Sequence, residues 1–239
     1  MISQDESIMV AWCDGGRVDG KFTLGLVATM MHLKQKFNLR SFARVCGNQI
    51  ARQRHEIFLE WEQEGSDWLL WIDSDIVFNT ESLDILMQYA HKDLIKVISG
   101  IYFIIAPKTS GSLQEPTPAI FKQDDLERPI SIHPLPKNEL IEIDHAGFGF
   151  LLMHKSIIEQ MKKVVLGNSV FNETLRQDMP FIGEDIKFFM NLKKAGIQAY
   201  AHTGALAEHM KIFAVDIDYY NAFWGKELEA NGGSNTDSI

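Results

Sequence analysis

Residues 68–75 read WLLWIDSD, and this stretch constrains the fold more tightly than any other in the chain. Five apolar residues, Trp68 to Ile72, follow polar Gly65-Ser66-Asp67 and run straight into Asp73, Ser74 and Asp75. A run that short, apolar and aromatic predicts a central strand covered on both faces. Open α/β sheets are built from such strands, and they bind ligands outside the carboxyl ends. Asp73 and Asp75 stand at that end. Two carboxylates one residue apart are costly to desolvate together without a cation. Hard oxygen ligands suit magnesium or manganese. The plainer reading is a strand end whose aspartates cap the following turn.

The rest of the chain supplies a matching alternation. Ile8 to Trp12 reads as a first strand, broken at Cys13-Asp14-Gly15-Gly16. Helical spacing of apolar residues predicts helices over 18–37 and 48–63. In the second, Ile50, Ile57, Phe58 and Trp61 point inward, with Arg52, Arg54 and Glu62 outward. A short helix from Glu81 to Ala90 opens with Thr80 as its cap, and 94–105 reads as another strand. This order argues for a mostly parallel, doubly wound central sheet flanked by helices.

Residues 106–118 and 122–138 read as loops and together hold six of the seven prolines. Strands are expected at Pro118 to Phe121, at Leu140 to Ile143 and over 147–153, GFGFLLM. A helix from Lys155 to Lys163 precedes a long connection, 164–182. Long connections inside a compact domain are usually functional or mobile. A helix from Glu184 to Ala195 stops at Gly196, a glycine C-cap, before a short strand from Gln198 to Ala201. Ile217 to Glu229 is amphipathic, and residues 231–239, NGGSNTDSI, read as a disordered polar tail. Residues 1–230 are expected to form one domain.

Bulk properties narrow the partners. The formal charge of −9, from 23 basic and 32 acidic residues, disfavours nonspecific binding to nucleic acid or anionic membranes. Cys13 and Cys46 lack metal-ligand spacing and do not suggest a disulfide scaffold, so a reducing cytoplasmic setting is expected. The polar, acidic start MISQDES is unlike a signal peptide. No stretch approaches the ~20 apolar residues of a transmembrane segment.

Three further features bear on chemistry. Glu184 and Asp185, in GEDIKFF, complement the positive end of a helix, and a general base placed there would face a cleft. His209, in ALAEHMK, is a candidate third metal ligand, with His202 and His145 as rivals. Gly147 and Gly149 flank Phe148 and suit either a bulge or a backbone that approaches a ligand closely. The Asp14-Gly15-Gly16 turn has the same two readings. No Walker-type phosphate loop or dinucleotide glycine fingerprint occurs.

Taken in order, these motifs resemble the small soluble GT-A-type glycosyltransferases of bacteria and their viruses. The ordered set is a first strand ending in a polar turn, an Arg-bearing helix, LLWIDSD, AGFGFLLM, GED at a helix start, then AG and a late histidine. The resemblance spans roughly residues 7–212. It implies a Rossmann-like GT-A domain that moves a sugar from a nucleotide-sugar donor to the hydroxyl of a glycan or other acceptor, using a divalent cation, Mn2+ or Mg2+. By the same match Asp75, Asp73 and His209 correspond to metal-site positions, with Asp73 and Ser74 also at the donor ribose. Cys13, Asp14, Gly15 and Arg17 match the loop under the nucleotide base. Arg52 and Arg54 fall near an arginine that faces the donor. Gly147 and Gly149 match the turn beside donor sugar and acceptor, and Glu184 and Asp185 match the acids facing the acceptor hydroxyl. Arg52 is followed by Gln53 where relatives often carry asparagine. Inverting and retaining outcomes both stay open, as does oligomeric state.

Two other readings compete. WIDSDIVF resembles the opening motif of haloacid-dehalogenase-type phosphohydrolases, with Asp73 as nucleophile and Asp75 as acid/base. That motif normally opens its domain, whereas here strand and helices precede it. The other is a non-catalytic module that holds a sugar nucleotide or glycan without turnover.

Overall fold

Alternation along SIMVAWCD decides where the first strand sits. Ile8, Val10 and Trp12 enter one apolar cluster, while Met9, Ala11 and Cys13 enter another on the opposite face. The same division runs through WLLWI, with Trp68, Leu70 and Ile72 against one cluster and Leu69 and Trp71 against the other. All thirteen residues of the two strands are buried. Only a sheet with a layer on each side can bury both faces.

The computed structural model describes residues 2–105, 116–126, 128–165, 170–171, 174–176 and 179–211. The chain divides into two compact units: residues 1–104 with 116–210, and residues 105–115 with 211–239. Of the second unit only Ile105 and Lys211 are described, and the architecture below is that of the first.

The first half runs β1 (Ser7–Asp14), α1 (Gly20–Lys36), β2 (Asn38–Cys46), α2 (Ile50–Glu64), β3 (Trp68–Ile72), β4 (Ile76–Val77), α3 (Thr80–Tyr89), β5 (Val97–Ile101) and β6 (Phe103–Ile105). Short strands follow: β7 (Pro116–Pro118), β8 (Ile120–Gln123), β9 (Pro129–Ser131), β10 (Leu140–Ile143) and β11 (His145–Ala146). The chain continues through β12 (Phe150–His154), α4 (Ser156–Lys162), β13 (Thr174–Arg176) and β14 (Met179–Ile182). It then forms α5 (Glu184–Lys194), β15 (Ala199–Leu206) and β16 (Glu208–His209).

Seven strands make the central sheet in the order β10-β15-β5-β12-β3-β1-β2. Five of them point the same way, while β12 and β10 run against their neighbours. Side chains of α1 and α3 cover one face, and those of α2, α4 and α5 cover the other. The position of β12 sets up the site. Because it runs antiparallel between β3 and β5, its first residue, Phe150, pairs with Ile72 at the carboxyl end of β3. The GFG turn is thereby brought against the aspartates, and the Asp73 N–H donates to the Gly149 carbonyl at 3.0 Å.

Several expectations need correction. The reading of 38–47 omitted strand β2, whose edge position leaves it mostly exposed and without a long apolar run. The helix at 80–89 is capped by Asn79, whose side chain accepts from the Ser82 N–H, and Thr80 is its first residue. The strand expected over 94–105 is interrupted at Tyr102. Only Phe150 onward of GFGFLLM is strand. Arg54, expected on the outer face of α2, is 5% exposed. Gly196 does take a left-handed conformation, φ 71°, just past α5. The described part of 164–182 contains the β13-β14 hairpin. The expectations for 106–115, 217–229 and 231–239 lie outside the described residues. No described helix is long and apolar enough to cross a membrane.

Gly100 marks a tight approach within the sheet. A methyl group there would press on the Phe150 ring and come 2.9 Å from the Ala205 carbonyl oxygen. Gly100→Ala should therefore lower stability by about 1–3 kcal/mol, the range for overpacking, measurable by urea denaturation.

Candidate functional site

Strands β2, β1 and β3 lie side by side and parallel, so Cys46, Asp14 and Ile72 end at one edge. A cleft of about 400 Å³ opens there, lined by Cys13, Asp14, Gly15, Gly47, Asn48, Ile50, Gln53, Arg54, Asp73, Ser74 and Asp75. It occupies the position where open α/β sheets take ligands. Its base is knitted by polar contacts. The Gln53 Nε2 donates to the carbonyls of Asp14 and Val45 at 2.9 and 3.0 Å, tying two strand ends together. Arg44 holds the buried Asp14 carboxylate through Nε and a terminal nitrogen at 2.5 and 2.8 Å. The Gly16 N–H adds a third bond at 2.8 Å. The Arg44 bond, opposed by burial and aided by Gly16, keeps Asp14 below the usual carboxylate range.

On the other side of the cleft a guanidinium sits among three groups. Arg54 donates to Glu184 Oε1 at 2.8 Å and to Asp73 Oδ2 at 3.1 Å, and its Cζ lies over the Phe148 ring, 4.6 Å from the centroid. The other Asp73 oxygen accepts from the Trp71 indole N–H at 3.0 Å. Asp73 is thus held on both oxygens. Phe148 is fixed in turn by edge contacts with Trp71 and Phe188.

Asp75 meets a different partner. The short antiparallel pairing of β16 with β4 sets His209 opposite Ile76. The His209 Nε2 then lies 3.0 Å from Asp75 Oδ2, while Nδ1 lies 2.8 Å from the Phe103 carbonyl oxygen. A carbonyl only accepts, so Nδ1 carries the proton. In the neutral ring, the Nε2 lone pair therefore faces a carboxylate oxygen. Two acceptors at that distance repel unless the ring is doubly protonated or a cation lies between them. A ring nitrogen whose partner nitrogen is fixed by a carbonyl, with a carboxylate alongside, is a donor set suited to a divalent cation. Among the described residues no three His, Cys, Asp or Glu side chains gather as a ready-made metal cage.

Tyr102 accounts for the two glycines of GFG. A Cβ on Gly147 would collide with the Tyr102 hydroxyl, and one on Gly149 would lie 2.6 and 2.7 Å from its ring carbons. The Gly149 N–H donates to the Tyr102 oxygen at 3.3 Å, and the ring stands nearly perpendicular to that of His209, 5.1 Å between centroids. One buried phenol therefore spaces the GFG turn from the Asp75–His209 pair. Burial, reinforced by Asp73, raises its pKa and keeps it protonated.

At the start of α5 the two acids differ. Glu184 is buried and paired to Arg54. Asp185 accepts from its neighbour's backbone, the Ile186 N–H, at 2.7 Å. Burial raises the pKa of Asp185, with Arg54 opposing and Glu184 and Asp73 reinforcing the rise. A carboxyl of raised pKa is suited to proton transfer.

The structure gathers Cys13, Asp14, Gly15, Asp73, Ser74 and Asp75 around one cleft. Arg17 and Arg52 are exposed, and Arg52 pairs with Glu56 one turn along its own helix. His202 is buried elsewhere against Tyr89, at 4.4 Å between rings. His145 is buried with neither ring nitrogen hydrogen-bonded among the described residues. Of the three histidines, His209 alone is hydrogen-bonded to Asp75 among the described residues. Arg44, Gln53 and Tyr102 escaped the sequence reading, since each acts through a partner distant along the chain.

Cys13 is buried, and desolvation, with Asp73 next, pushes its thiol up to about 12. Cys46 is exposed. A thiol reagent at pH 8 should therefore titrate one cysteine in the native protein and two after denaturation, because the thiolate is the reactive form.

No protein-family model and no curated protein sequence matches the chain. Solved structures do. The protein A197 from STIV is 17% identical, with 86% of each chain covered and a TM-score of 0.50. GalNAc-T7, solved with UDP, GalNAc and Mn2+, is 10% identical, with 98% of this chain and 52% of that one covered and a TM-score of 0.50. This chain thus spans about half the length of GalNAc-T7. At such identities the likeness is one of fold: a single mixed α/β layer structure of GT-A type, as the motif order implies.

Proposed function

We propose that this chain is a metal-dependent glycosyltransferase that moves a sugar from a nucleotide-diphosphate donor to an acceptor hydroxyl. The observation that carries this reading is the pairing of Asp75, which lines the cleft, with His209, whose Nε2 lies 3.0 Å from a carboxylate oxygen while Nδ1 lies 2.8 Å from the Phe103 carbonyl oxygen. Asp75 and His209 would hold the cation, Mn2+ or Mg2+. When bound, such an ion neutralises the negative charge that gathers on a departing diphosphate. The Mn2+, UDP and sugar present in GalNAc-T7 are consistent with that assignment.

The chain's own groups supply the rest. Cys13, Asp14, Gly15 and Asn48 would form walls for the nucleotide, and Asp73 and Ser74 its floor. Asp73 faces the donor as a fixed acceptor, because Arg54 and Trp71 hold its oxygens. The phosphohydrolase alternative needs Asp73 as a free nucleophile, which those two bonds oppose. Asp185 is the base that takes the acceptor's proton, since the Glu184 carboxylate is committed to Arg54.

A screen of UDP-, GDP- and dTDP-sugars, with and without manganese, tests the donor side. One nucleotide class should stabilise the wild type in a manganese-dependent way, by about 2.7 kcal/mol at 100 times Kd. Asp75→Ala should lose the response. Indifference to every sugar nucleotide would remove the reading.

Asp185→Asn tests the acceptor side. It should lower kcat by about 10²–10⁴-fold, the usual worth of a general base, while donor binding persists in calorimetry. The base works deprotonated and its folded pKa is raised. In wild type, kcat should therefore climb with pH through that raised value, above the ordinary aspartate range.

A further inference from the structure

We infer that Arg54 is a positioning residue that couples the two ends of the site: its guanidinium bridges Asp73 and Glu184, making Glu184 the anchor of α5 and leaving Asp185 as the one acid free to act. The roles given to the two ends rest on the transferase reading. The bridge itself rests on geometry alone.

Asp73 and Glu184 lie 19 and 130 residues from Arg54 in sequence, so the bridge joins three separate elements, the end of β3, α2 and the start of α5. Its members leave little to solvent, with side-chain exposures of 6% for Arg54, 11% for Glu184 and 23% for Asp73. One terminal nitrogen serves each carboxylate, and Phe148 closes one face of the plane. A planar fork can satisfy two acceptors in fixed directions at once, whereas an ammonium is a point charge that cannot reproduce the geometry. Any displacement of Arg54 must therefore move the aspartate of the donor floor and the first residue of α5 together.

The bridge also sets the electrostatics of Asp185. The charged groups that face it are Arg54 from α2, Glu184 from its own helix and Asp73 from the end of β3. Arg54 favours the ionised form of Asp185, and Glu184 and Asp73 oppose it. The two partners in one ion pair thus push the same carboxyl in opposite directions.

The test is the carboxyl titration of Asp185, followed by NMR in protein labelled at the aspartate Cγ, for wild type, Arg54→Gln, Arg54→Lys and Glu184→Gln. Arg54→Gln should move the midpoint up and Glu184→Gln should move it down. Arg54→Lys should keep kcat at about one hundredth of wild type, the cost of a small misplacement at a reacting centre, with the donor KM far less affected. Adding Glu184→Gln to Arg54→Lys should cost little more, since the bridge is already lost. If Arg54→Gln does not fold, Glu184→Gln and Arg54→Lys still decide.

An Asp185 midpoint unmoved by Glu184→Gln, or fully additive kcat losses, would overturn the inference. The titration needs no substrate. Opposite shifts without any sugar-nucleotide turnover would condemn the transferase reading and keep the bridge, and turnover without shifts would do the reverse.

Discussion

A guanidinium buried in a protein core survives only with its charge matched, and Arg54 meets that condition through its two terminal nitrogens, bonded to Asp73 and Glu184, while its buried Nε has no hydrogen-bond partner among the described residues. Removing one member of such a buried arrangement typically costs about 3–5 kcal/mol, because a charge is left without compensation. The other parts of the site are arranged around this contact. The aspartate that ends β3 is held open toward the cleft. The first turn of α5 is drawn to the sheet. The aromatic cluster of Trp71, Phe148, Phe171 and Phe188 packs beneath it.

A second constraint comes from chain direction. Strand β12 runs against β3 and β5, so the turn that precedes it arrives at the carboxyl ends of its neighbours. A parallel strand in that place would have carried the GFG turn to the far edge of the sheet. Tyr102 then occupies the volume that side chains at 147 and 149 would need. Glycine is required at both positions by the phenol ring, and the same ring backs His209. Packing, turn and candidate metal pair are in this sense one construction. The Asp14 side of the cleft is a separate one, held by Arg44 on Asp14 and by Gln53 across two strand ends.

How much of this was legible in sequence depended on the range of the interaction. WLLWI announced its burial because a doubly covered strand must be apolar throughout, and the structure buries all five residues. Helices α1 and α2 were legible from 3.6-residue spacing. Strand β2 was not, because an edge strand exposes alternate residues and polar residues interrupt every apolar run of its pattern NLRSFARVC. Arg54 was misplaced for a related reason. Helical spacing treats an arginine as an outward residue, and only partners 19 and 130 residues away reverse that preference.

By itself, then, the sequence determined the layered α/β class, the strand that ends in two aspartates and the acids at the start of α5. Those features follow from local periodicity and from the solvation cost of charged groups, which neighbouring residues suffice to express. Tertiary structure decided the rest: which arginine reaches Asp73, which histidine faces Asp75 and which of two adjacent acids pairs with that arginine. Each of those choices is a distance between residues far apart along the chain. They are settled by strand order and register, which no local pattern encodes.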